Sequence, residues 1–183
     1  MKNDLALSFR EFKPALRFVA FFAGAYISGN LLYGGYVEFY KPRPDPVSIL
    51  VTSQSAFLLT ACTEPVQAII SEHEPIVLLA NQQRTVLRVF EGCNGLNVMI
   101  VFVSFVIAFG GKTRQLLVFL LSGCALLHLV NLLRIMLLYQ TALYRPLFFY
   151  YFHKYFFTAI LYLVVFGLWF VWIERIQMKS KKM

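Results

Sequence analysis

Apolar residues gather in four long runs, near 18–36, 93–111, 115–139 and 156–173. Each run, as a helix rising about 1.5 Å per residue, is long enough for a hydrocarbon core of about 30 Å. A fifth run, "VSILVTSQSAFLLTAC" (47–62), is shorter and broken by Ser53, Gln54 and Ser55, which fits an interfacial or partly buried helix better than a span. "KPRPDP" (41–46) ahead of it favours extended backbone. After the acidic "SEHEP", two β-prone runs flank Asn81-Gln82-Gln83 and predict a hairpin, although its turn lacks a glycine. The expected fold is an all-α integral membrane protein with about four transmembrane helices, an interfacial helix and a short extracytoplasmic hairpin. Without internal repeats or low-complexity tracts, residues 1–183 read as one membrane-embedded domain.

Composition supports that class. Of 183 residues, 59% are hydrophobic and 14% charged, more apolar surface than a soluble domain of this size can hide. The net charge of +8 forms no basic face, which argues against nucleic acid. The cations cluster at run ends instead: Lys2, Arg10, Lys13 and Arg17 before the first, Lys112 and Arg114 between the second and third, and Arg175, Lys179, Lys181 and Lys182 after the last. Four spans put all three clusters on the cytoplasmic side, near anionic lipid headgroups, with both termini inside and 37–92 outside. Lys41, Arg43, Arg84, Arg88, Arg145 and Lys154 stay outside and weaken the asymmetry. The first run reads as a retained anchor, because its charged lead is long, carries Asp4 and Glu11, and precedes no clear small-residue cleavage site.

This topology assigns depths to the polar residues. Cys93 lies 19 residues from Lys112, about 28 Å along a helix; Arg134 lies 20 from Arg114, about 30 Å; His153 lies 21 before Glu174, about 32 Å. Three segments therefore bring a thiol, a guanidinium and an imidazole to the outer edge of the bilayer within about one helical turn in depth.

Each residue also has a plain reading. A free cysteine is often a small hydrophobe, as Cys124 near mid-membrane is expected to be. His153 in "YYFHKYFF" fits an aromatic belt. Arg134 is harder to dismiss: inside "NLLRIMLLY" an arginine costs a few kcal/mol unless it snorkels or finds a partner, and Asn131 is one turn away to orient it. As a set they form a nucleophilic site. A nearby cation and a helix N-terminus favour thiolate at Cys93. His153 takes the thiol proton and returns it to a leaving amine, and Arg134 donates to the oxyanion. Gly92 and Gly95 leave room for a substrate backbone at the sulfur. Asn94 and Asn97 either cap the helix or bind substrate amides. Glu91 is left unassigned, with Arg88 and Arg134 as its candidate partners. The three cysteines, Cys62, Cys93 and Cys124, have no metal-like spacing, and no metal or cofactor is expected.

"EGCNGLN" opening a membrane helix, "NLLRI" in the next and His153 before the last resemble the exosortase/archaeosortase family, above all the small F-type exosortases of Bacteroidetes. The resemblance runs from about Val47 to the end, and is specific where Cys, Arg and His occur in that order. It implies a membrane cysteine peptidase or transpeptidase of a bacterial inner membrane. Its substrates would be exported proteins carrying a C-terminal motif, a transmembrane helix and a basic tail. Carried over, Cys93 is the nucleophile, Arg134 the oxyanion stabiliser and His153 the acid/base. The chain departs from the family in reading Gly92-Cys93-Asn94-Gly95 where many members have Ala-Cys-Ser-Gly, and in having about half the spans of larger members.

Two other readings compete: a non-catalytic sorting or assembly factor whose polar trio shapes a groove for a partner helix, and a lipid-modifying acyltransferase. Haem ligation by His128 is disfavoured because no second histidine shares its depth; a hydrogen bond to a neighbouring helix suits it better. A Cys62–Cys93 disulfide would silence the nucleophile and is not expected.

Overall fold

Asp45 shows how local chemistry starts the elements that build the site. Its backbone is extended (φ −68°, ψ 152°), and its Oδ1 accepts from the N–H groups of Val47 and Ser48, each at 3.0 Å, with Pro46 in the first turn where its missing N–H costs nothing. That cap opens α2 (Pro46–Cys62). The computed structural model describes residues 2–82 and 84–180, without the side chains of 2–11 and 176–180. Expectations resting on the side chains of Lys2, Arg10, Gln83, Lys179, Lys181 and Lys182 lie outside the described residues.

The chain runs α1 (Lys2–Tyr40), α2, β1 (Gln67–Ile70), β2 (Ile76–Ala80), β3 (Thr85–Phe90), a 3-10 turn at Glu91–Cys93, α3 (Leu96–Phe109) and α4 (Thr113–Tyr144). A 3-10 turn (Pro146–Phe148), the short α5 (Phe149–Tyr151) and a π-helical turn (Phe152–Phe156) then lead into α6 (Phe157–Ser180). Three stretches are long and apolar enough to cross a membrane: Phe12–Tyr40, Thr113–Tyr144 and Pro146–Arg175. The protein is a largely helical, membrane-embedded one.

The run expected to span 93–111 is shorter as a helix. α3 has 14 residues, about 21 Å of rise against a core of about 30 Å. Left-handed glycines bracket it, Gly95 at φ 85° and Gly110 at φ 77°, where the Gly110 N–H closes the last turn on Val106 and Ile107 carbonyls. Cys93 therefore precedes the helix, in the 3-10 turn. The last apolar stretch begins at Pro146, ten residues before the expected 156, because Pro146 opens a helical turn.

The fold is not purely α. The predicted hairpin is present as β2 and β3, paired antiparallel from Ile76↔Phe90 to Ala80↔Thr85 with an irregularity at Leu79/Ala80. β1, unforeseen in the sequence, adds on the far side of β2, so the order is β1-β2-β3 with β3 at an edge. The sheet lies on α2 and α4 over a core that includes Val51, Leu59, Leu79, Leu87, Val89, Ile135 and Leu138. The predicted helix at 47–62 is α2, and it turns Ser48, Thr52 and Ser55 into the protein. Thr52 and Ser55 return their hydroxyls to the carbonyls of Ser48 and Val51, so neither is left unpaired.

A second core joins α3, α4 and α6 through Phe102, Val106, Phe119, Leu127, Val165 and Trp172. Phe105 stacks on Trp169 and Phe119 on Trp172, with centroids 4.1 and 4.7 Å apart. The Phe102 ring occupies the space where a Cβ on Gly123 would sit, which lets α3 approach α4. Leu31, Leu32, Leu121, Leu163 and Phe170 are exposed, the outward apolar surface of helices that face lipid. His128 Nε2 lies 2.8 Å from Gln54 Oε1, the link to a neighbouring helix that its depth called for.

Candidate active site

"EGCNGLN" is a turn held from three directions. Asn131 on α4 donates from Nδ2 to the Cys93 carbonyl at 3.0 Å. Tyr33 on α1 donates its hydroxyl to the Glu91 carbonyl at 2.8 Å and accepts from Asn94 Nδ2 at 3.0 Å. Asn94 Nδ2 also reaches Ser48 Oγ at 3.2 Å, and Ser48 donates to the capping Asp45. Asn94 Oδ1 accepts from the Leu96 N–H at 2.9 Å, one residue ahead of the actual N-cap, Gly95. Asn97 is exposed in the first turn of α3.

The two glycines serve the turn itself. A Cβ on Gly92 would lie 2.5 Å from the Phe90 ring, and one on Gly95 would lie 3.1 Å from the Asn131 side chain in a left-handed backbone (φ 85°). The room expected for a substrate backbone is occupied by Phe90 and Asn131.

Above the turn, Cys93 Sγ lies 3.7 Å from His153 Nε2. His153 sits in the π-helical turn, a break in register of the kind that re-aims side chains at functional positions, and its ring stacks on Phe149 at 5.7 Å. Arg134, one turn beyond Asn131 on α4, is 8% exposed, and its charge acts on both Cys93 and His153. Its Nε has no hydrogen-bond partner, and neither does Asn131 Oδ1. A buried guanidinium N–H without an acceptor is costly, which makes it receptive to an incoming oxygen carrying negative charge.

Burial pushes the Cys93 thiol above its ordinary range. Arg134 and the Phe90 backbone N–H pull it down, Glu91 pushes it up, and burial prevails. The influence of Arg134 expected from the sequence is present, and burial, which the sequence did not reveal, opposes it. The pair is a neutral thiol beside an imidazole, and with the proton on Nδ1 the Nε2 accepts from the sulfur.

Cys93 and His153 open on a cavity of about 300 Å³ bounded by β3, Ile135 and Leu138 of α4, and Phe149. Around its end of the bundle, Tyr144, Phe148, Tyr150, Tyr151 and Tyr155 are exposed, the residue types that mark a membrane–water boundary. Lys154 Nζ donates to Tyr150 OH at 2.8 Å within that belt.

The structure thus brings Cys93, Asn131, Arg134 and His153 together from three separate segments. Glu91 does not pair with Arg88, which is bound to Glu74 across the sheet. Cys62 is exposed, and it and Cys93 are free thiols. Sequence reasoning missed Tyr33, Asp45 and Ser48 as supports of the turn. For Asp45 a signal existed, since Asp-Pro ahead of an apolar run is a helix start; for Tyr33 none did. No protein-family profile, curated protein or solved structure matches the chain.

Proposed function

We propose that the protein is a membrane-embedded cysteine peptidase or transpeptidase that processes C-terminal sorting signals of exported proteins at the outer face of a bacterial inner membrane. One observation carries the reading: a thiol 3.7 Å from an imidazole at the wall of an apolar cavity, with a buried arginine, its Nε lacking an acceptor, one turn from the Asn131 that holds the thiol's backbone. In this reading α3 makes a short fourth pass beside the three long helices. The clusters at Lys13–Arg17, Lys112–Arg114 and Arg175 face the cytoplasm, and the aromatic belt lies at the outer boundary.

The chemistry follows from the neutral pair. As a substrate carbonyl approaches, the thiol proton passes to His153 Nε2 while sulfur bonds to the carbonyl carbon. The oxyanion that forms accepts from the Arg134 guanidinium, and Asn131 holds the Cys93 backbone in place. Collapse breaks the C–N bond, His153 protonates the leaving amine, and a thioester remains on Cys93. Water then releases a shortened protein, or an amine or hydroxyl acceptor takes the acyl group. The substrate's own transmembrane helix would hold the scissile bond level with the site.

The test is processing of a co-expressed protein bearing a C-terminal motif, helix and basic tail, in Cys93→Ala, Arg134→Ala and His153→Ala backgrounds. Each variant is expected to lose at least about a hundredfold in rate. Normal processing by Cys93→Ala would overturn the catalytic reading. The second reading, a non-catalytic sorting factor that binds a partner helix, draws support from the near-complete burial of Cys93 and its raised thiol pKa. That reading requires the Cys93→Ala protein to retain full function.

A further inference from the structure

The cavity runs along the free edge of β3. Residues 86–90 all border it in succession, which a strand achieves only through its edge, because alternate side chains face opposite ways. The register shows which peptide groups point there. The Ser71 N–H bonds the Ile76 carbonyl, so Ile76, Leu78 and Ala80 turn their peptide groups to β1. Val77 and Leu79 therefore face β3, and their partners Val89 and Leu87 face back. Arg88 and Phe90 are left with peptide groups directed away from β2. The Phe90 carbonyl turns into the 3-10 turn at Glu91–Cys93, which leaves the Arg88 N–H and C=O as the strand groups directed at the apolar cavity, with the nucleophile at its end.

We infer that the substrate binds as a fourth strand on β3, its extended backbone pairing with Arg88 and delivering a carbonyl carbon to Cys93. An extended polypeptide is the occupant whose alternating donors and acceptors match such an edge while its side chains fill the cavity. Binding through the main chain places few demands on side-chain identity near the cleavage point, apart from those that enter the cavity beside Ile135, Leu138 and Phe149. The inference rests on the proposed active site.

The test uses the full chain in detergent with acetyl-Val-Ala-Val-Ala vinyl sulfone as the probe, read as the rate of Cys93 alkylation by intact mass in a Cys62→Ser, Cys124→Ser background. Two copies of the probe carry N-methyl groups on alternate amides. One should react at least about fivefold more slowly than the parent, the factor for one net hydrogen bond, and the other at about the parent's rate. Arg88→Pro removes an edge N–H without touching the β2 ladder. It should slow the parent probe by a similar factor relative to Arg88→Ala, which controls for the lost Glu74 ion pair. Equal rates for the two methylated probes would overturn the inference, as would labelling by N-ethylmaleimide without labelling by the peptide. A dimer lost in Arg88→Pro with unchanged labelling would give the edge to a second copy and overturn it too. N-ethylmaleimide reactivity and the Cys93→Ala processing assay do not depend on the β3 edge, so failure of strand docking is distinguishable from failure of the catalytic reading.

Discussion

Replacing Asn131 by leucine removes a single donor from the base of the site. Asn131 is fully buried, and its Nδ2 bond to the Cys93 carbonyl at 3.0 Å ties the nucleophile's backbone to α4. Leucine has nearly the same shape, so no large cavity opens. The lost bond leaves the Cys93 carbonyl unsatisfied, at about 1–3 kcal/mol. Against this, Asn131 Oδ1 is itself buried without a partner, and its removal offsets part of that cost. The expected net destabilisation is about 1–2 kcal/mol. Reversible unfolding in mixed micelles of non-ionic detergent and dodecyl sulfate reads the change. Peptide-probe alkylation of Cys93, followed in parallel, should slow because the turn no longer holds the sulfur against His153. An Asn131→Leu protein within about 0.3 kcal/mol of the parent, with unchanged alkylation, would refute the role given to this bond.

Four further outcomes are expected. The pH profile of Cys93 alkylation should lie above that of a small free thiol, because burial raises its pKa, and Arg134→Met should move it higher by removing the largest opposing influence. The same shift makes the folded state bind the thiol proton more tightly than the unfolded one, so the stabilisation it confers is full below the ordinary thiol range and falls as pH rises through the folded pKa; a Cys93→Ala protein should lack that alkaline decline in unfolding titrations. Asp45→Ala should cost about 1–2 kcal/mol, since it deletes two bonds to the first turn of α2 and frees Ser48, whose hydroxyl meets Asn94. Gly95→Ala should destabilise by about 1–3 kcal/mol, because φ is 85° and the new Cβ would meet Asn131 at 3.1 Å, whereas Gly167→Ala, with open space at its Cβ, should be close to neutral; thermal unfolding distinguishes them.

Much of the architecture was legible because apolar run length reports directly on helices long enough to cross a bilayer. The runs at 115–139 and 156–173 correspond to long helices, and 47–62 to α2, capped where Asp-Pro announces a start. Counting residues from Lys112, Arg114 and Glu174 pointed to Cys93, Arg134 and His153 as a set, although Cys93 precedes α3 in a 3-10 turn and His153 lies in a π-helical turn rather than on regular helix. The hairpin was visible from two β-prone runs. β1 was not: "QAII" is four residues with no alternation, and it exists because β2 offers an edge to pair with.

By itself, then, the sequence determined that this chain carries helices apolar and long enough for a membrane, roughly where they run, and which reactive side chains to consider as a set. These follow from one-dimensional quantities: hydropathy, charge and rise per residue. Lateral contacts were left to the tertiary structure. It placed His153 against the thiol by a π-helical turn, pressed Phe90 and Asn131 into the spaces at Gly92 and Gly95, and buried Cys93 enough to keep it protonated despite Arg134. It also left β3 as an edge along the cavity. Burial, ring placement and strand order depend on which surfaces meet across the fold, and no spacing along the chain encodes that.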